Sequence, residues 1–383
     1  MHTSPSSTEH ADIPIAARIQ FTGSGRSYFG IWIVNLLLSI VTLGIYSAWA
    51  KVRRKKYFYQ HTLLDGASFD YHARPVAILK GRMIAVALFL LYNLLAKSNP
   101  ILAGILFLLF MIAVPWLVVR STMFNARNTS YRGLRFDFTG RSGEAAKVFV
   151  AYPMLLFFTL GLIYPFIKQR AQTFLINHHR FGTQYFSCSA LVSSFYGIYL
   201  KMVMIVIGLG LLFTLGVKTL LPHHVAWQAD TPVTVATGGV PGHPLLSLAR
   251  ADNHLSAQEQ AELDRALEAL DIDESAPASL RSELHNILIG LAVIVAYLFV
   301  LSLFWAYLNS RISNLVWNHT RIADARFTSA QRMRDLVCIY GSNLLMLVVT
   351  LGLATPFAQI RLARYRLQAL TLHGIHDWDQ FIG

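Results

Sequence analysis

The sequence predicts an all-α polytopic membrane protein, built from parallel internal repeats that each combine a short re-entrant hairpin with a pair of transmembrane helices. Three observations predict this class. Hydrophobic residues make up 54% of the 383 residues and charged residues only 14%, which leaves too little polar surface for a water-soluble fold. Several apolar runs match the length of a bilayer-spanning helix. Finally, one half-apolar, half-basic phrase occurs three times.

The recurring phrase begins with Thr-Leu-Gly and carries an arginine eleven residues after its threonine. The copies are TLGIYSAWAKVR (42–53), TLGLIYPFIKQR (159–170) and TLGLATPFAQIR (350–361). An aromatic residue follows each arginine by four positions, namely Tyr57, Phe174 and Tyr365. Chance recurrence in a leucine-rich chain is the alternative, but it does not account for these shared positions. We therefore interpret the phrase as part of an internal repeat.

The apolar leg before the first phrase is too short to cross a membrane. From Phe29 to Thr42 it has 14 residues, or about 21 Å of helix against a hydrocarbon core of about 30 Å. The glycines of the phrases suit a tight turn, and Pro165 and Pro356 suit the first turn of an outgoing helix. We therefore predict that each phrase enters the membrane, turns and leaves by the same face, covered by neighbouring protein.

The distribution of charge favours this topology. The stretch 222–284 holds ten acidic and three basic residues, and the other 30 of the 33 Lys and Arg lie elsewhere. The positive-inside rule then places the basic clusters in the cytoplasm and the acidic stretch outside. Re-entrant phrases meet this rule with four full spans, whereas the alternative of seven spans breaks it for two clusters. The clusters are 51–56, 74–82, 120–147, 168–180, 311–334 and 361–366.

This reading divides the chain into four parts. Residues 1–20 are a flexible N-terminus, and residues 21–137 are repeat one, with re-entrant segment 29–58 and spans 77–97 and 100–120. Residues 138–328 are repeat two, with re-entrant segment 147–175, spans 197–220 and 286–308, and the acidic extracytoplasmic insert 222–284. Residues 329–383 are a third, partial repeat with re-entrant segment 335–368 and the C-terminus.

A second recurring element lies at the junctions between these segments. Turn residues stand in the middle of it, and aromatic and β-branched residues flank them, which is typical of a short β-hairpin. In most copies a threonine precedes an aromatic residue by seven positions. We predict five cytoplasmic junctions of this kind. Their sequences are HTLLDGASF (61–69), NTSYRGLRF (128–136), HHRFGTQYF (178–186), HTRIADARF (319–327) and the degenerate LTLHGIHDW (370–378).

The first copy carries a resemblance to a known family. The stretch FTGSGRSYFGIWIVNLLLSIVTLGIYSAWAKVR (21–53), followed by Tyr57, Gly66 and Phe69, resembles the YjgN-like bacterial inner-membrane proteins. The similarity runs from Phe21 to the C-terminus. It implies a location in the plasma membrane of a bacterium, and it brings no activity or catalytic residue with it.

Polar groups at membrane depth are the candidates for a binding path, because burying them unpaired is costly. Asn35 and Asn343 each stand seven residues before the threonine of a phrase, and Tyr152 takes that place in the second copy. The alternative is that these groups hydrogen-bond neighbouring helices or their own backbone. The candidate path consists of Asn35, Thr42, Gly44, Thr159, Gly161, Asn343, Thr350 and Gly352.

The arginines that end the phrases form a second candidate site. Arg53, Arg170 and Arg361 fall where the outgoing helices reach the cytoplasmic headgroups. Ordinary anchoring to lipid phosphates is one interpretation, and a site for an anion or anionic phospholipid is the other. We predict the lipid bilayer and its anionic phospholipids as partners.

The sequence predicts neither an enzyme nor a cofactor, because it has no dinucleotide, Walker, HExxH or GxSxG motif. No metal site is predicted either: the spacing of His223, His224, His243 and His254 fits no ligand set. The net charge of +13 is assigned to cytoplasmic loops and not to nucleic-acid binding. The predicted function is channel- or transporter-like passage of a small solute, ion or lipid. The alternative is a structural or assembly role that binds anionic lipids or partner proteins. We expect an inner-membrane location with both termini in the cytoplasm.

Overall fold

A computed structural model describes residues 16–220 and 278–374 together with Trp378 and Phe381. The chain divides into two compact units, one formed by Met1–Val206 with Leu301–Gly383 and the other by Ile207–Val300. Residues 222–277 of the predicted acidic insert lie outside the described residues, as do the four histidines weighed as metal ligands. The barrel and the candidate sites discussed below belong to the first unit, and the helices Val192–Leu220 and Ala278–Asn318 run from it into the second.

Helices make up most of the described chain. A π-helical turn, Lys147–Ala151, joins the fifth helix to the sixth. The helices are α1 Gly25–Val41, α2 Ser47–Gln60, α3 Pro75–Ser98, α4 Pro100–Arg127, α5 Ser142–Ala146, α6 Tyr152–Phe158, α7 Tyr164–Asn177, α8 Val192–Leu220, α9 Ala278–Asn318, α10 Met333–Val349 and α11 Thr355–Gln368.

Ten short strands form a closed antiparallel barrel, in the order β1-β10-β9-β8-β7-β6-β5-β4-β3-β2. Closure pairs the first strand with both the last strand and β2, so the barrel has no free edge. The strands are β1 Ala16–Phe21, β2 Thr62–Leu64, β3 Ala67–Tyr71, β4 Thr129–Tyr131, β5 Leu134–Phe138, β6 His179–Phe181, β7 Gln184–Cys188, β8 Thr320–Ile322, β9 Ala325–Ser329 and β10 Leu370–His373.

Four of the five predicted junctions are β-hairpins with two-residue turns, which confirms that part of the prediction. In the first two, the turn residues have positive φ: 48° at Asp65 and 73° at Gly66, then 47° at Arg132 and 81° at Gly133. Two successive positive φ angles suit the right-handed twist of the flanking strands. The fifth junction differs, because its strand β10 pairs with the N-terminal strand β1 and not with a strand that follows it.

The prediction of an all-α fold with four full spans, or alternatively seven, is wrong. The junctions join into one closed barrel, so the fold combines helices with a sheet. Among the described residues, three helices are long and apolar enough to cross a membrane: Pro75–Ser98, Pro100–Arg127 and Val192–Leu212. The predicted span 286–308 falls inside α9, several of whose side chains lie outside the described part. Residues 16–20, predicted as part of a flexible N-terminus, belong to β1.

The barrel interior is lined by apolar side chains from strands of neighbouring junctions. Five of these pairings each contribute one inward-facing pair, and most pairs contain an aromatic ring. Burial of these rings supplies the main stabilisation of such a small barrel. The pairs are Ile19 with Leu64, Phe69 with Tyr131, Phe136 with Phe181, Phe186 with Ile322 and Phe327 with Leu372.

Two residues from the C-terminal end of the chain cap the turn end of the barrel. The ring of Trp378 lies 4.9 Å from that of Tyr131, and the ring of Phe381 lies 5.3 Å from that of Phe181. The Trp378 indole donates a hydrogen bond to Asp65 Oδ2 at 2.9 Å. The backbone of Phe381 packs on Gly182, where an added Cβ would come within 1.9 Å of the Phe381 oxygen.

Replacing Gly182 with alanine is expected to destabilise the barrel by about 3 kcal/mol, because the change adds both backbone strain at a φ of 57° and a collision with the cap. The measurement is the unfolding midpoint in one detergent. Gly66→Ala is the matched control: its φ is 73°, but open space surrounds the added atom, so a loss of about 1 kcal/mol is expected. Equal losses would mean that the cap does not constrain the hairpin.

Candidate functional site

The three Thr-Leu-Gly phrases form turns between consecutive helices. Each threonine hydroxyl donates a hydrogen bond to the carbonyl four residues earlier: Thr42 to Leu38 at 2.7 Å, Thr159 to Leu155 at 2.9 Å and Thr350 to Met346 at 2.7 Å. In the first and third turns it also accepts from the backbone four residues later, from Tyr46 at 2.9 Å and Ala354 at 3.1 Å. The described hydroxyl contacts are therefore those of helix caps.

Each turn places a leucine in the left-handed region. The φ angles are 48° at Leu43, 49° at Leu160 and 48° at Leu351. The amide of the following glycine donates to the carbonyl five residues earlier, for example Gly44 to Ser39 at 2.7 Å, as in a Schellman motif, where the left-handed residue is usually glycine. A residue with a side chain costs about 1–2 kcal/mol in the left-handed conformation. Each of the three turns therefore carries a conformational cost that glycine would not impose.

The turn leucines are almost completely exposed, at 95%, 91% and 93% for Leu43, Leu160 and Leu351. Their neighbours are also apolar and exposed. In water, such a tip would be unfavourable; in hydrocarbon it is favourable. Gly161 and Gly352 repeat the conformation of Gly44, with φ of 85°, 86° and 90° respectively.

The two predicted asparagines are buried but lie in different surroundings. Asn35 lines an open cleft between α1, α2 and α3. Asn343 lies between α10 and α11, where its amide donates to the Ala358 carbonyl at 3.4 Å. The side-chain oxygen of each is buried without a hydrogen-bond partner among the described residues. Tyr152, at the corresponding place in the second copy, packs edge to face on Phe166 at 5.1 Å.

The cleft beside Asn35 has a volume of about 460 Å³. Three of its lining residues are cations and none is acidic. The Arg82 guanidinium donates to the Ser47 hydroxyl. The Ser39 hydroxyl donates to the backbone carbonyl of Asn35 at 2.6 Å. The complete lining is Tyr28, Trp32, Asn35, Leu36, Ser39, Ser47, Ala50, Lys51, Arg54 and Arg82.

The positive charge around this cleft affects a neighbouring amine. Burial lowers the pKa of Lys55, and the charges of Lys51 and Arg54 lower it further. The Lys55 amine donates to Asn125 Oδ1 at 2.6 Å and lies 4.7 Å above the Tyr71 ring. Because the cations repel one another here, an anion in the cleft would be stabilised by all of them.

The predicted arginines are exposed, and each touches its own hairpin. Arg53 lies 5.7 Å from the Tyr46 ring and Arg170 lies 5.0 Å from the Phe166 ring. Arg361 donates to the Ser342 hydroxyl at 2.7 Å. The structure therefore gives them similar positions along their helices, but the cation-rich cleft uses Lys51, Arg54 and Arg82 instead.

Sequence reasoning placed Lys51, Arg54 and Arg82 only in basic clusters. One signal pointed to Arg82: it lies inside the predicted span 77–97, and a charge within an apolar span marks a functional site. Two buried glutamines, Gln169 and Gln331, were missed altogether. The prolines were predicted correctly, since Pro165 and Pro356 lie in the first turns of α7 and α11.

These features are those of a membrane protein: helices long and apolar enough to span a bilayer, short helical hairpins with apolar tips and a closed barrel assembled from the junctions. The chain belongs to the family described as "Bacterial protein of unknown function (DUF898)", whose match covers residues 16–383. No solved structure is significantly similar to it.

Curated relatives carry the name predicted from the first phrase. The chain is 32% identical over 144 residues to "Inner membrane protein YjgN" of Salmonella typhimurium, which covers 37% of this chain and 36% of the relative. It is 29% identical over 159 residues to the Escherichia coli K12 protein of the same name, which covers 40% and 38%. The matches thus span under half of each relative. They confirm the resemblance to YjgN-like proteins and the prediction of a membrane protein.

Proposed function

We propose that the protein lies in the bacterial inner membrane with its five junctions and both termini in the cytoplasm, and that the three Thr-Leu-Gly hairpins enter the bilayer without crossing it. Strands from all five junctions hydrogen-bond in one barrel, and a barrel can occupy only one side of a membrane. The positive-inside rule assigns that side to the cytoplasm. The recurring helix pairs and hairpins are then an internal repeat, and the insert 222–284 is periplasmic.

The function that the geometry supports best is binding of anionic phospholipids at the cytoplasmic surface. One observation carries this proposal: Lys51, Arg54 and Arg82 converge on a cleft that also contains the buried, unpaired oxygen of Asn35. A phosphate would pair with the cations, and a glycerol hydroxyl would donate to the amide oxygen. The outward arginines Arg53, Arg170 and Arg361 extend the same basic surface.

Replacing Lys51, Arg54 and Arg82 together with glutamine is expected to weaken phosphatidylglycerol binding about 100-fold, since each basic residue near an anionic surface contributes about 1 kcal/mol. Native mass spectrometry of protein titrated with phosphatidylglycerol or phosphatidylcholine measures the difference. The control removes three exposed arginines elsewhere, Arg135, Arg141 and Arg334. If the control loses phosphatidylglycerol binding equally, the effect depends only on net charge, and the cleft is not the binding site.

A second candidate is transporter-like passage of lipid. It rests on the buried, unpaired side-chain oxygens of Asn35 and Asn343, because unpaired polar groups at membrane depth mark pathways. Asn35→Leu with Asn343→Leu is expected to abolish movement of fluorescent phospholipid between leaflets of reconstituted liposomes. Asn93→Leu, an exposed asparagine of α3, is the control. Unchanged lipid movement in the double variant would contradict this candidate function and would mean that the two amides only connect neighbouring helices.

A further inference from the structure

The interior of the barrel contains an apolar cavity of about 480 Å³. Strand residues form most of its wall, and Phe58, Tyr59, Trp317 and Leu367 from the ends of α2, α9 and α11 close it on the helix side. Its threonine and one of its tyrosines have paired hydroxyls: Thr62 donates to Phe58 at 2.8 Å and Tyr131 to Leu64 at 2.6 Å. The wall therefore offers little hydrogen bonding to a ligand and suits a hydrocarbon.

A polar collar adjoins this cavity at the helix end. A smaller cavity of about 210 Å³ shares Trp317, Leu367 and Leu370 with the barrel cavity. Its other lining residues are all polar or charged, namely Asn309, Ser313, Gln331 and Arg366. A polar zone thus lies directly against an aromatic one.

A third cavity extends from the collar along the membrane helices. It has a volume of about 250 Å³ and shares Asn309, Ser313 and Trp317 with the collar. Lys168 and Gln172 from α7 line it, together with the exposed Trp305 of α9. Consecutive cavities share wall residues, so the three lie side by side in a row, called the track below, between the surface of α9 and the interior of the barrel.

The collar contains an unpaired buried group. Gln331 is 6% exposed, and its amide donates to the Ser313 hydroxyl at 2.8 Å. Its side-chain oxygen is buried with no partner among the described residues. Lys168 and Arg366 are the cations of the track, and its lining residues include no Asp or Glu. A ligand head that is anionic and also donates a hydrogen bond would pair with these cations and with the Gln331 oxygen.

We propose that the barrel is a binding site for a single-chain amphiphile, with the hydrocarbon chain among the aromatic rings and an anionic, hydroxyl-bearing head at Gln331 and Arg366 of the collar, beside Lys168 of the adjoining cavity. A lysophospholipid with a glycerol head has both features, whereas a fatty acid has the chain and the anionic head but, once ionised, no hydroxyl to donate. The apolar cavity of about 480 Å³ that the described strands enclose suits one hydrocarbon chain. The chain enters from the membrane along α9 and ends beneath Trp378 and Phe381. The site is separate from the cleft at Lys51, so the two proposals stand independently.

The test is photocrosslinking of the full-length protein in nanodiscs with a palmitate analogue that carries a diazirine near the end of its chain. We expect adducts on the cavity-lining strands, in peptides containing Phe186, Ile322 or Phe327. Ile322→Trp fills the cavity and is expected to reduce these adducts about tenfold. Ser187→Trp places the same side chain on the outer face of the barrel and is expected to leave them unchanged.

Competition separates the two possible sources and tests the head site. Unlabelled palmitate and lysophosphatidylglycerol are compared, and the stronger competitor identifies the class of head. Replacing Lys168 and Arg366 with glutamine is expected to weaken the anionic competitors about tenfold while sparing hexadecanol. Wild-type adducts confined to the membrane helices would overturn the proposal, whatever the folding of the variants. Phosphatidylglycerol binding at the Lys51 cleft is unaffected by either result.

Discussion

Changing Leu43, Leu160 and Leu351 together to aspartate is expected to prevent the protein from accumulating in the membrane. These leucines form the exposed tips of the helical hairpins. A charge at membrane depth costs about 3 kcal/mol per residue during insertion, so three such changes cost about 9 kcal/mol, which is comparable to the whole stability of a typical protein. Membrane fractionation followed by detergent extraction measures the loss of folded protein.

Two control variants separate polarity from backbone strain. Leu→Met at the three positions keeps an apolar side chain in the left-handed conformation and is expected to behave as the native protein does. Leu→Gly relieves about 1–2 kcal/mol of strain per turn and is expected to raise the unfolding midpoint in detergent. If the triple aspartate variant accumulates and melts like the native protein, the tips lie in water and the re-entrant proposal fails.

Deleting residues 16–21 is expected to cause a comparably large loss, because strand β1 closes the barrel. It pairs with β10 through Ala16–Arg18 and with β2 through Ile19–Phe21. Its removal exposes two strand edges and the apolar interior, which favours aggregation. We expect the unfolding midpoint to fall by more than about 10 °C, as a loss of several kcal/mol requires.

The control deletes residues 1–15 and leaves β1 intact. A synthetic peptide with the sequence of residues 16–21, added to the longer deletion, is expected to restore part of the lost stability by pairing with the open edges. If both deletions melt at the native midpoint, then β1 does not contribute to closure, and the sheet is held by the four hairpins and β10.

The local features of the fold were predictable because they depend on a few neighbouring residues. Asp65-Gly66 and Arg132-Gly133 specify tight turns by their own backbone preferences. Pro165 and Pro356 indicate the start of a helix for the same reason. The aromatic residues seven positions after the junction threonines were visible as a periodic pattern, for example Phe69 and Phe327. These rings line the barrel.

The barrel itself was not predictable from any one junction. Each of the four hairpins offers strands of three and five residues, too short to indicate a sheet by alternation. Their partners lie far away in sequence: Phe69 pairs with Tyr131 and Phe186 with Ile322. Closure also needs β1, which lies in a segment whose composition predicts flexibility. Sheet formation thus depends on contacts between segments that are far apart in the sequence.

The candidate site was only partly predictable for a related reason. Asn35 stood out because it is polar within an apolar leg. Its cationic neighbours come from two helices, and only the packing of α3 against α2 brings Arg82 to Lys51 and Arg54. Gln331 gave no signal, since it lies in a polar loop whose burial depends on α9 and α11.

The central claim, that the junctions lie on one side of the membrane, is tested most directly by thiol labelling of the four hairpins. In a background with Cys188→Ala and Cys338→Ser, single cysteines replace the exposed turn residues Asp65, Arg132, Thr183 and Asp324. An impermeant maleimide added to cells with a permeabilised outer membrane is expected to label none of them, and to label all four once the inner membrane is opened. Labelling of Thr183→Cys or Asp324→Cys in sealed cells would contradict the account.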